Sequence, residues 1–405
     1  MSKVALGEFI DFKNGKAIKQ SSGKIPIYGG NGILGYTDVS NYENTIIIGR
    51  VGAYCGSVHM EKNSCWVSDN AIAGIVSQEK DLKFFYYLLK SLGLNSKQIG
   101  SSQPLITQTM LKNMVVDIEL DLQKQKLISG FLDNIDQKIA LNNQINEELE
   151  AMAKTLYDYW FVQFDFPDEN GKPYKTSGGK MVYNDQLKRE IPEGWGVETL
   201  SDQISFDKTG DWGKESSEGN YIVAVNCIRG TDINELKKNG ILNSPKRYIL
   251  KKNTHKLLDS YDIVIEISGG SPTQSTGRVG KITEYLFNRF ENPIICSNFC
   301  KAIQLREKSM FYYFVAIWQS YYDSGTLFGW EGKTSGIKNL QFDSFTENTF
   351  IPLPEKKILE EFFYIGDELE IKIQNNLKQN QELTQLRDWL LPMLMNGQVK
   401  VEDKT

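Results

Sequence analysis

Histidine is nearly absent, with only His59 and His255 in 405 residues. Neither sits in an HExxH or comparable spacing, so a His-based triad or metal site has few candidate members. Cysteine is scarce as well. Five thiols, an odd number without framework spacing, fit a reducing compartment and small buried side chains, and no disulfide is expected. Cys296 and Cys300 form a lone CxxxC without a second pair, which reads as two core thiols and no metal site. Long apolar runs are missing too. Residues 310–318 make the longest, nine residues where a membrane span needs about 18, and the start MSKVALGEF lacks the apolar centre of a signal peptide. A cytoplasmic protein without membrane contact is expected. Basic charge is not in excess, since 46 Lys and Arg face 51 Asp and Glu for a net of −5. That total argues against nucleic-acid binding unless the charge is segregated.

What is present builds cores. Hydrophobic residues make up 40% and aromatics 11%, and the length exceeds the roughly 250–300 residues at which one core stops growing, so two or three domains are expected. From Ile128, steps of four and three residues reach Leu132, Ile135, Ile139, Asn142, Asn146, Leu149, Ala153, Leu156 and Trp160, the seam of a coiled coil. Shifted by 230, the ladder lands on Ile358, Phe362, Ile365, Leu369, Lys372, Asn376, Gln379, Leu383, Leu386 and Leu390. Two long helices are predicted, one over 122–164 stopped by Pro167, the other opened by Pro354 and closed by Pro392. Neither can bury its stripe alone, so they are expected to pack on each other, with the polar middle fixing register.

Other pieces recur in the same order. Gly49-Arg50-Val51-Gly52 returns as Gly277-Arg278-Val279-Gly280, Phe85-Tyr86-Tyr87 as Phe311-Tyr312-Tyr313, and LGEFI at 6–10 resembles LSDQI at 200–204. Duplication of a globular segment followed by a helix accounts for this. Short β-branched runs alternate with turn signals and helical stretches, so the segments read as α/β. The divisions are 1–118, 119–165 (helical), 166–194 (connector), 195–353 and 354–405 (helical). Their charges differ: +3 for 1–118 and zero for 195–353, against −5 for 119–165 and −3 for 354–405. The acid is on the helices.

Within the globular segments, cations cluster. Lys13, Lys16, Lys19 and Lys24 lie in an acid-free stretch, as do Lys237, Lys238, Lys246, Arg247, Lys251, Lys252 and Lys256, a pattern that suits phosphate contacts. Arg50 and Arg278 are flanked by glycines that let backbone approach a groove, and Arg is the commonest bidentate reader of guanine. Asn31 in a glycine-rich turn, Ser101, Ser102 and Gln103, and Gln274, Ser275 and Thr276 add hydrogen-bonding groups on irregular backbone. Catalytic motifs fail on context. GNGILG at 30–35 is not followed by the helix that would receive a pyrophosphate, GKT at 332–334 lacks the first P-loop glycine, and NPII at 292–295 lacks the stacking aromatic of amino-methyltransferases.

The order of YGGNGILGY, GRVG, GSSQPLITQ, a long helix, the connector FPDENGKPYKTSGGKMVYN, REIPEGW, SGGSPTQSTGRVG and LLPMLMNGQVKV resembles the DNA-specificity subunit of type I restriction-modification systems, along essentially the whole chain. The resemblance implies two target recognition domains, each reading half of a split, asymmetric site in double-stranded DNA, separated by two antiparallel helices acting as a ruler. It also implies partners, two methylation subunits and two restriction subunits, which would carry S-adenosylmethionine, ATP and Mg, while this chain binds none and catalyses nothing. Ile128, Leu132, Ile135, Ile139, Asn142, Asn146, Ile358, Phe362, Ile365, Leu369 and Asn376 would form the spacer that docks partners. Two other readings stay open. A methyltransferase with a diverged cofactor site would bind S-adenosylmethionine by itself, and a scaffold unrelated to DNA would show no sequence preference to lose on replacing Arg50 or Arg278.

Overall fold

The computed structural model describes residues 2–97, 105–237, 242–269, 271, 273–334 and 336–401. They fall into two compact units, one of residues 1–138 with 383–405, the other of residues 139–382. Each unit holds one mixed globular segment and a stretch of both long helices.

In the first unit, β1 (Ser2–Ala5), β2 (Ile10–Asn14), β3 (Ile25–Gly29), β4 (Gly32–Thr37), β5 (Thr45–Gly49), β6 (Val58–Glu61), β7 (Trp66–Val67), β8 (Ala71–Val76) and β9 (Val115–Ile118) form three sheets, ordered β2-β8-β5-β6, β4-β3-β7 and β1-β9. Every residue of β5 is buried, as suits a central strand of continuous β-branched residues. Helix α1 (Leu82–Ser91) is capped by Asp81, whose carboxylate accepts from the Phe84 N–H, and buries Phe84, Phe85, Tyr87, Leu88 and Leu89 in this core.

The second unit repeats the plan. A connector hairpin, β10 (Met181–Asn184) and β11 (Arg189–Pro192), precedes β12 (Gly196–Thr199), β13 (Ile204–Thr209), β14 (Tyr221–Ile228), β15 (Lys246–Leu250), β16 (Asp262–Glu266), β17 (Ser268–Gly269), β18 (Val279–Ile282), β19 (Ile294–Cys296), β20 (Cys300–Leu305), β21 (Glu331–Thr334), β22 (Ile337–Leu340) and β23 (Phe350–Leu353). The sheets run β13-β20-β16-β18, β15-β14-β19 and β12-β23, with β17-β22-β21 added. Parallel pairing recurs at the matching place, β3 with β7 and β14 with β19. Helix α2 (Phe311–Asp323) occupies the position of α1 and buries Trp318 fully. The five cysteines are all free and buried, and no group of metal-ligating side chains is assembled among the described residues.

The long helices run Leu122–Tyr157 and Lys356–Met395. The first stops short of the expected 164, giving way to a π turn, Asp158–Val162, and then to Phe164 at φ 65°. The second runs through Pro392 instead of ending before it. The missing N–H costs about 3 kcal/mol in a helix interior, but Leu391 just before it and Leu394 and Met395 beyond it are buried with Ile128 and Leu132, at about 1.5–3 kcal/mol each. Burial wins by a few kcal/mol.

The helices pair antiparallel within each unit. In the second unit Asn142 Nδ2 donates to Asn380 Oδ1 at 2.9 Å, and Asn376 Nδ2 donates to Asn146 Oδ1 at 2.9 Å. In the first, Arg387 Nη1 meets Asp136 Oδ1 at 2.7 Å. The helix starts, Leu122 and Lys356, lie 234 apart, and this offset replaces 230. At 230 the copied ladder meets Lys372, Gln379 and Leu386, all exposed. At 234 it meets Phe362, Gly366, Leu369, Ile373, Asn376, Asn380, Leu383, Arg387, Leu390 and Leu394, none exposed. Four residues turn a helix by about 400°, one turn and a small excess, so the wrong shift still finds apolar residues at its ends. With the right offset the two asparagine bonds are images of each other, since Asn142 and Asn146 correspond to Asn376 and Asn380.

Candidate nucleic-acid interface

In the first unit the ends of β2 and β5 and the start of β8 lie on one rim of the sheet, where Asn14 pairs with Ile72 and Gly49 with Ala71. Exposed Lys16 stands just past β2, its carbonyl accepting from Trp66 Nε1 at 2.7 Å. Lys13, on β2, is exposed and 3.2 Å from Asp11 Oδ2. Half-buried Arg50 directly follows β5. Its N–H donates to the Asn70 carbonyl at 2.9 Å, and its own carbonyl accepts from the Ile106 N–H at 3.0 Å. These bonds fix the backbone and leave the guanidinium without an ion pair among the described residues. Asn31, exposed, sits at the tip of the β3–β4 hairpin, whose Gly30 carbonyl is held by Ser57 Oγ and faces His59 Nε2 at 3.2 Å. Ser101, Ser102 and Gln103 lie outside the described residues.

The second unit treats its cations differently. Lys246 on β15 and Lys251 and Lys252 in the turn Lys251–Lys256 are exposed. Arg247 is not: its guanidinium lies 3.9 Å from the centre of the Trp212 ring and 3.0 Å from Glu215 Oε1. Arg278 also turns inward and binds Glu266 through both Nε (2.8 Å) and Nη2 (2.6 Å). Those hydrogen bonds raise the guanidinium pKa further, so it stays charged but neutralised by a carboxylate that is itself only 3% exposed. Ser275 and Thr276 are buried, and the Thr276 N–H donates to Glu331 Oε1 at 2.7 Å. Gln274 alone of its loop trio is exposed, its carbonyl 3.3 Å from Lys338 Nζ. Arg247, Arg278 and Thr276 thus hold loops in place, with Ser275 buried beside Thr276, a role that charge patterning along the chain does not distinguish from solvent-facing cations.

The repeated GRVG is not a repeated site. Arg50 follows the central strand β5, whereas Arg278 precedes β18, the counterpart of edge strand β6. Hydrogen bonding identifies the true counterparts: the Ile267 N–H donates to the Phe299 carbonyl at 2.9 Å, as Arg50 does to Asn70. The aromatic repeat puts a tyrosine on the acidic helix in both units but not residue for residue, since the copy of Tyr87 is Tyr313, whose hydroxyl donates to the Pro352 carbonyl at 2.6 Å. In the first unit Tyr87 donates to Asp136 Oδ2 at 2.7 Å and Lys83 pairs with Asp133; in the second, Tyr312 donates to Asp367 Oδ1 at 2.8 Å and Lys281 pairs with Glu370. Asp133 and Asp136 match Asp367 and Glu370 at the 234 offset. Part of the helical acid is therefore spent on anchoring each globular segment to its helices, which the charge totals alone do not reveal. The hairpin of β21 and β22, which carries Lys338, was missed because its GKT reads as a broken P-loop.

Residues 1–151 match the family described as type I restriction modification DNA specificity domain. The type I restriction enzyme MjaIX specificity subunit of Methanocaldococcus jannaschii is 28% identical over 345 residues, 82% of this chain and 71% of that protein. The EcoprrI specificity subunit of Escherichia coli is 28% identical over 146 residues, 36% of this chain and 35% of that one. In fold, the S subunit of a type I restriction-modification system from M. genitalium superposes with a TM-score of 0.59 at 17% identity, covering 100% of this chain and 96% of the other. Motif order and duplicated topology agree with these likenesses, and the chain is similar in sequence and in fold to type I restriction-modification specificity subunits.

Proposed function

We propose that this chain is the non-catalytic DNA-recognition subunit of a cytoplasmic type I restriction-modification complex. It gives the complex its sequence specificity by reading a bipartite, asymmetric target in double-stranded DNA, one half-site per globular segment. The observation that carries this is the duplication itself: two segments with the same strand order, each with its own cations, suit a target made of two separate and different halves. Two methylation subunits and two restriction subunits dock on the chain, the helical spacer among the docking surfaces, and they bring S-adenosylmethionine, ATP and Mg. No helix among the described residues is long and apolar enough to cross a membrane.

Enrichment of duplexes from a random pool, by the full chain with its methylation subunit, tests the reading. Recovery of two short conserved blocks at fixed spacing is expected, and an unstructured consensus contradicts it. With only +3 and zero net charge on the segments, much of the phosphate attraction must come from the methylation subunits. The slope of log K against log salt should therefore be steeper for the complex than for the lone chain, and equal slopes would contradict this division.

A further inference from the structure

The two segments are built alike but differ in chemistry at one equivalent place. On the rim of the first sheet, Arg50 and Asn70 are joined through backbone, and neither side chain has a hydrogen-bond or ionic partner among the described residues. On the rim of the second, the same backbone bond joins Ile267 and Phe299. Ile267 packs on the core and Phe299 is 51% exposed. The nearby Arg278 is already committed to Glu266 through its Nε–Nη2 edge and is only 15% exposed.

A guanidinium reads guanine by presenting two parallel N–H donors to O6 and N7. Arg50 has that fork without a partner among the described residues, on backbone fixed by two hydrogen bonds, beside the exposed amide of Asn70. Arg278 gives its Nε–Nη2 edge to a buried carboxylate and is itself largely buried, and turning it outward would leave Glu266 charged and unpaired in the interior. Resting on the DNA-recognition reading above, we propose that Arg50 contacts a guanine in the half-site read by the first segment, and that Arg278 reads no base. The corresponding rim of the second segment offers Phe299, an apolar surface of the kind that meets a thymine methyl group.

The test starts from the duplex enriched by the full chain with its methylation subunit, and replaces each base pair in turn. For the wild-type chain one G·C pair in one half-site should matter by about 5- to 150-fold in affinity. Arg50→Ala should abolish discrimination at that pair alone, leaving the other half-site and the melting temperature unchanged. Arg50→Lys, which lacks the fork, should restore affinity more than discrimination. Arg278→Lys, which keeps a cation toward Glu266, should leave every base preference intact. Retention of all wild-type preferences by Arg50→Ala overturns the proposal while leaving the recognition reading standing, and a changed preference in Arg278→Lys overturns its second half. A wild-type chain that enriches no sequence contradicts the reading itself, and the proposal with it.

Discussion

The asparagine bonds on the helix seam allow a sharp test by double-mutant cycle. Asn142 and Asn380 are both fully buried, and Asn142 Nδ2 donates to Asn380 Oδ1 (2.9 Å) and to Gln379 Oε1 (2.7 Å). Asn142→Leu removes both bonds and leaves Asn380 Oδ1 in an apolar seam without a donor. Lost bonds are worth about 1 kcal/mol each and an orphaned buried acceptor about 1–3 kcal/mol, so the single change should cost about 2–4 kcal/mol. Asn380→Leu should cost a similar amount, because it also strips the bond to Asn143 Oδ1 at 2.8 Å. The double change replaces both polar groups with packed apolar ones and should cost much less than the sum of the singles, a coupling of about 2 kcal/mol. Calorimetry on the full chain, following the transition that carries residues 139–382, reads this directly, at about 2–4 °C per kcal/mol for a unit of this size. The symmetric pair Asn146 and Asn376 should behave alike. Strictly additive singles would refute the claim that these amides satisfy each other across the seam.

Asp136→Ala should destabilise the first unit by about 2–4 kcal/mol in thermal unfolding, since it strands the Tyr87 hydroxyl and the Arg387 guanidinium together, whereas Tyr87→Phe should cost about 1–2 kcal/mol. Gly277 has φ +103° and a Cβ there would lie 2.3 Å from Leu327 Cδ1, so Gly277→Ala should cost about 2–4 kcal/mol; Gly52, φ +77° with open space around it, should cost only about 1 kcal/mol. Asp165 accepts from the Thr176 hydroxyl and, at 2.7 Å, from the Thr176 N–H, bonds that hold its carboxyl below the ordinary range. A depressed folded pKa adds stability above the unfolded value, about 3.9, that is lost as pH falls through the folded one. Asp165→Asn should therefore melt below wild type at pH 7, and the gap should close below about pH 4.

Much of the fold was legible in the sequence because it rests on periodicity. The seam from Ile128 to Trp160 is set by which face of a helix is apolar, and all its positions are in fact shielded from solvent. The second copy was misplaced by one turn, since a shift of four preserves most of a helical stripe and Asn376 lies on both ladders; the polar positions that differ are Lys372 and Gln379 on one against Asn380 and Arg387 on the other. The interface was less legible for a different reason. Whether an arginine faces solvent depends on a carboxylate distant in sequence, and Glu266 lies 12 residues before Arg278 on another strand. Four-letter identity likewise made GRVG look like a repeated site, while strand order places its two arginines at different points of the sheet.

The central claim, that this chain supplies sequence specificity, is tested most directly by mapping methylated adenines across the host genome with and without the chain. A bipartite motif methylated in the wild type and unmethylated in the deletion is the result the account predicts. Persistence of every methylated motif in the deletion would contradict it.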